Sequence, residues 1–146
     1  MSADNLLNVN VLVAAKEEYL KQLIYDLSPE IYTLIYKIYE ESQDLPKKRS
    51  ISLRNFQILL KKIQLWNETM IIDKTKFICD KIPYLMNLVS AIFVTHIKIL
   101  SCIKLNNSAK KIEIIVPKLE IFLHRILMCT AEKIYKNPSL ISEKKD

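Results

Sequence analysis

His96, Cys102, His124 and Cys129 are the residues of this chain best suited to hold a metal ion. Zinc takes imidazole and thiolate ligands, and two ligands on one helix face the same ion only when they lie three or four residues apart. His96 and Cys102 are six residues apart and His124 and Cys129 five, so on helices each pair diverges by roughly 120° or more. No Cys-x-x-Cys or His-Glu-x-x-His spacing is present. The expectation is no metal and no cofactor, with both histidines satisfied in a core or at an interface.

Acid–base and nucleophilic chemistry fare no better. Glu17-Glu18 and Glu40-Glu41 are neighbours in sequence, and neighbours on a helix point apart rather than forming an acid–base pair. The chain contains no glycine at all, where typical usage would give about ten. Loops that cradle phosphate need bare backbone amides, and the nucleophile elbow needs a glycine-flanked turn, so both are excluded. These absences predict no catalytic residue, no small-molecule substrate and a protein that is not an enzyme.

Recognition is better served. Tyr32, Tyr36 and Tyr39 fall at i, i+4 and i+7, one stripe on a helix. Such a stripe suits a core rim, a protein interface or base stacking. A final helix carries Leu119, Phe122, Leu123, Ile126, Leu127 and Ile134 on one face. A second apolar face bears Ile121, His124, Met128, Ala131 and Tyr135. A helix apolar on two sides is either central or covered by a partner. Lys47, Lys48 and Arg49, with Lys61-Lys62 and Lys110-Lys111, form the best candidate phosphate-contacting surface. Only Arg49, Arg54 and Arg125 supply guanidinium among 22 basic residues. Nucleic-acid sites favour that group, so much of the lysine excess reads as solvated surface.

The elements that must position these groups are helical. Asn5 to Asp26 carries one apolar face. Ser28-Pro29-Glu30 then has the order of a helix start: a capping serine, a first-turn proline and an acid. A second helix is expected to about Glu41, and a loop over 43–52. From Leu53 the apolar stripe keeps phase to about Lys81, as one long helix or two with a kink at Trp66-Asn67. Pro83 ends it. The next helix runs from Tyr84 to about Leu105. Ile112 to Val116 is β-branched and reads as a short extended segment. Pro117 opens the final helix, Asn137-Pro138 closes it, and 137–146 reads as a polar tail.

These elements predict an all-α fold, a compact bundle of five or six helices with that one extended segment. At 146 residues the chain reads as a single helical domain. Its net charge is +6 and half of its residues are hydrophobic. Three widely spaced cysteines fit no disulfide framework and read as reduced thiols inside a cell. The start Met-Ser-Ala-Asp-Asn matches neither a signal peptide nor a myristoylation site. Tyr84 to Ile103 has the length of a membrane span. It carries Asn87, His96 and Lys98, and Asn87, Ser90, Lys98 and Ser101 share one narrow strip. It therefore reads as a helix buried on most sides with one wet edge, and no membrane span is expected.

Three stretches together resemble a family. They are Leu53-Arg54-Asn55-Phe56-Gln57 leading to Lys61 through Asn67, Ala91 through Leu100, and Val116 through Arg125 with Tyr135-Lys136-Asn137-Pro138. The pattern is similar to an uncharacterised family of giant viruses, the nucleocytoplasmic large DNA viruses of mimivirus and phycodnavirus type. It rests on Trp66, Asn67, His96, Pro117, Phe122, His124, Asn137 and Pro138. The resemblance implies a viral source, with host cytoplasm, viral factory or virion as the location, and no assigned activity. The expected function is a non-enzymatic structural or interaction protein of the virion or factory. It would dock onto itself or another viral protein through its final helix and the tyrosine stripe. The alternative is a basic protein that binds nucleic-acid backbone without sequence preference.

Overall fold

A forty-residue helix, α1 (Ala3–Ser42), begins the fold and runs straight through Pro29. This corrects the expected break at Ser28-Pro29. Proline removes one intrahelical hydrogen bond and crowds the carbonyl a turn earlier. The reason it does not end the helix is the apolar stripe. Leu23, Leu27, Ile31, Leu34, Ile35 and Ile38 are all buried and stay in one helical phase across the proline. A break would take half of them out of register. Thr33 donates its hydroxyl to the Pro29 carbonyl at 2.9 Å.

The structure, a computed structural model, describes residues 3–43, 49–103 and 115–142. After α1 come α2 (Arg49–Lys62), a 3-10 turn (Ile63–Leu65), α3 (Glu68–Lys81), α4 (Leu85–Ile103), α5 (Leu119–Lys136) and α6 (Ser139–Ser142). The fold is all-α, with six helices and no strand among the described residues. The expected extended segment lies mostly outside the described residues. Of it, Ile115 and Val116 are in neither helix nor strand.

Three boundaries differ from expectation. Helix α2 begins at Arg49, inside the expected 43–52 loop, of which residues 44–48 lie outside the described residues. The final helix starts two residues after Pro117, at Leu119. The tail is not wholly polar in its setting: α6 forms within it and buries Ile141. The expected kink near Trp66-Asn67 is present. The 3-10 turn ends at Trp66, whose backbone is extended (φ −58°, ψ 135°). Asn67 caps the next helix by accepting the Met70 amide at 2.9 Å through Oδ1, the usual service of an N-cap asparagine.

The chain divides into two compact units, 1–27 with 82–118 and 28–81 with 119–146. In the first, α4 buries Leu85, Val89, Ile92, Thr95 and Ile99, one face at helical spacing. Asn87, Lys98 and Ser101 of the expected wet strip are exposed and Ser90 is half-buried. Met86 and Val94 are exposed as well, so burial is one-faced rather than nearly complete. By length and composition alone α4 could cross a membrane, with a mean hydropathy of 1.7. It also carries His96 and Lys98, and no clear span results. In the second unit α5 is the hub, touching α2, α3, the 3-10 turn and α6. Phe56, Ile35, Ile63, Ile78, Leu123 and Leu127 are its fully buried side chains.

Candidate functional site

The two faces read on α5 meet different fates. Leu119, Leu123 and Leu127 of the first face point into the core of the second unit and are buried, and so, against expectation, is Ala131 of the second face. Phe122, Ile126 and Ile134 flank them, half-buried. On the other face His124 is locked in place. Its Nε2 lies 2.7 Å from the Ile63 carbonyl, which only accepts, so Nε2 carries the proton. The same carbonyl takes the Trp66 amide at 3.2 Å. The imidazole also stacks on the Trp66 indole, 6.2 Å between centroids and 15° from parallel. Histidine and tryptophan thus pin α5 to the turn between α2 and α3.

Met128 and Tyr135 remain half-buried on that face. With Ala131 they form one wall of an open groove whose other wall is α2, through Leu60, Lys61 and Gln64. The groove encloses about 380 Å³. Lys61 reaches across it, its ammonium 4.9 Å from the Tyr135 ring centroid, a cation–π contact that holds the ring at the groove edge. Gln57 donates to the Tyr135 carbonyl at 2.8 Å. That carbonyl belongs to the last turn of α5 and has no partner within the helix. Glu132 and Lys136 close the far end as an exposed pair at 3.7 Å. Ile121 lies one heptad before Met128, is 45% exposed and stands outside the groove.

The tyrosine stripe forms a continuous chain of rings. Tyr32 and Tyr36 stack at 5.9 Å and Tyr36 meets Tyr39 at 5.8 Å. Tyr39 then packs edge-on against Phe56 at 5.3 Å. Exposure falls along it, from Tyr32 exposed to Tyr39 buried. Tyr39 is therefore a core residue, and Tyr32 holds the open end.

The basic candidates do not gather into one described surface. Lys47, Lys48, Lys110 and Lys111 lie outside the described residues, as does the side chain of Arg49. Lys61 and Lys62 are both exposed but line two different clefts, Lys61 that between α2 and α5 and Lys62 that beside α3. Among the described residues no three His, Cys, Asp or Glu side chains come together as a metal site requires. His96, in the first unit, accepts from the Lys16 ammonium at Nδ1 (2.9 Å). Cys129 is exposed, and Cys79 and Cys102 are half-buried. Partial burial, and then the neighbouring Asp80 charge, raise the Cys79 pKa and keep it a poor nucleophile.

The chain matches the family of unknown function DUF5764 over residues 9–142. It belongs to that family. No curated protein and no solved structure matches it. Within this family member four of the positions that carried the sequence resemblance serve the architecture. Trp66 and His124 clamp α5, and Asn67 caps α3. Asn137 accepts the Leu140 amide and the Ser139 hydroxyl where α5 gives way to α6.

Sequence reasoning missed Leu60, Gln64 and Glu132 as groove residues. Leu60 belongs by spacing to the apolar stripe that starts at Leu53. Only the packing of α2 on α5 brings Leu60 and Gln64 opposite Met128 and Tyr135, whereas Glu132 shares the α5 face with them by spacing.

Proposed function

We propose that this is a non-enzymatic interaction protein that self-assembles through the groove between α2 and α5. The observation that carries the reading is an apolar trough left open beside the hub helix. Met128 and Tyr135 stand half-buried at its wall and Leu60 lies at its base. Helix-in-groove recognition uses such a trough, with apolar anchors at three- and four-residue spacing on the incoming helix. The exposed apolar edge formed by Ile121 (45% exposed) on the same helix would extend the contact. Rims of mixed charge, here Lys61, Glu132 and Lys136, are typical of protein interfaces.

The resemblance to giant-virus proteins extends the proposal to a component of a viral particle or factory in the host cytoplasm. Immunodetection in purified particles tests that part. The docking part is tested by solution mass. Met128→Asp with Tyr135→Asp should return a defined oligomer to the monomer. Duplex DNA added to the same samples should leave the mass unchanged. A mass that rises with DNA at low salt and falls back steeply as salt increases would instead support backbone binding by the lysines.

A further inference from the structure

A second cleft of the 28–81 and 119–146 unit lies where the C-terminal end of α1, the end of α2 and the start of α3 meet. It encloses about 420 Å³, inside the range of small-molecule sites. Its apolar lining includes Leu59, Leu65 and Met70, with the half-buried indole of Trp66 beside them. Leu65 is 76% exposed, an apolar side chain that a bound molecule would shelter from water. Two ammonium groups and one carboxylate also line it: Lys62, Lys74 and Glu41. Lys74 stands over the Trp66 ring, 5.8 Å from its centroid. Neither Lys62 nor Glu41 is in an ion pair among the described residues.

We propose that this cleft binds a small amphipathic monoanion, its apolar body against Leu59, Leu65, Met70 and Trp66 and its acidic group between Lys62 and Lys74. The excess of one positive charge suits a single acidic group. A polyphosphate is disfavoured by Glu41 and by the absence of arginine, which binds phosphate through its planar fork. The proposal is independent of the groove between α2 and α5, because the two clefts share no lining residue.

The sole tryptophan of the chain makes the test local. The full-length protein labelled with nitrogen-15 is titrated with anilinonaphthalene sulfonate, an aryl monoanion, and with phenylnaphthylamine, its uncharged relative. The sulfonate should saturate and move the one indole cross-peak. The uncharged compound should bind about tenfold more weakly or worse. Lys62→Gln and Lys74→Gln should each weaken the sulfonate about threefold, and the double variant about tenfold, as expected for partly solvated charge contacts. Met128→Asp, in the other groove, should leave its affinity within about twofold. An unmoved indole, equal binding of the neutral compound, an indifferent double variant, or loss of binding in Met128→Asp would overturn the proposal. Circular dichroism establishes that each variant is folded. Should Lys74→Gln not fold, Lys62→Gln decides alone, since Lys62 is exposed at the end of α2.

Discussion

His124 shows how one side chain can be read as chemistry and serve as architecture. Its Nε2 proton goes to the Ile63 carbonyl and its ring stacks on Trp66. A hydrogen bond of this kind contributes about 1 kcal/mol and a ring stack about 0.5–1.5 kcal/mol. His124→Ala should therefore cost about 2 kcal/mol in urea unfolding, while Arg125→Ala, exposed on the same helix, should stay within about 0.5 kcal/mol. Equal effects would show that the clamp contributes nothing. In the other unit, Gln22 at 2.7 Å and Tyr84 at 2.6 Å both donate to Asp26 Oδ2. Those two bonds hold the Asp26 carboxyl below its ordinary range, and the bond to Asp26 holds the Tyr84 hydroxyl above its own. A depressed carboxylate adds stability that is present above its unfolded pKa and lost as pH falls through the folded one. A raised tyrosine adds stability that is present below its unfolded pKa and lost as pH rises through the folded one. Tyr84→Phe should move the Asp26 pKa upward in an NMR titration without reaching the ordinary value, because Gln22 remains. A pKa that stays put would remove Tyr84 as a cause.

Among the elements, Pro29 divides what the sequence can say from what it cannot. Local signals there name a helix start, yet the buried phase from Leu23 to Ile38 overrides them. Proline interior to a helix costs about 3 kcal/mol, offset by up to about 1 kcal/mol through a stiffer unfolded chain. Pro29→Ala should thus raise stability by about 1–2 kcal/mol by denaturant unfolding. A loss would mean that the fixed proline backbone matters more than the missing amide. The break at Trp66-Asn67, by contrast, was partly legible. The kink was one of two readings of that stretch, and the structure supplies its cause: the Asn67 side chain accepts the Met70 amide. The all-α class was legible too, because helical periodicity and the absence of glycine pointed the same way. The candidate groove was half legible. Met128, Ala131 and Tyr135 share a helical face by spacing alone, whereas Leu60 and Gln64 reach it only through the packing of α2 on α5. No local pattern records a contact between residues 60 and 128.

For the whole molecule, the proposal turns on what the fold leaves uncovered. The 1–27 and 82–118 unit builds on one buried face of α4. The 28–81 and 119–146 unit wraps α2, α3, the 3-10 turn and α6 on α5 and leaves the Met128 and Tyr135 groove open. A charge of +6 favours solubility and weak attraction to polyanions, and adds no specificity by itself. If assembly rather than charge is the function, burial of this groove must set the molecular mass. The decisive measurement is multi-angle light scattering at moderate salt on the wild type and on the Met128→Asp, Tyr135→Asp double variant. The proposal predicts a defined oligomer for the first and a folded monomer for the second. A wild-type monomer, or a folded variant that keeps the wild-type mass, would contradict it.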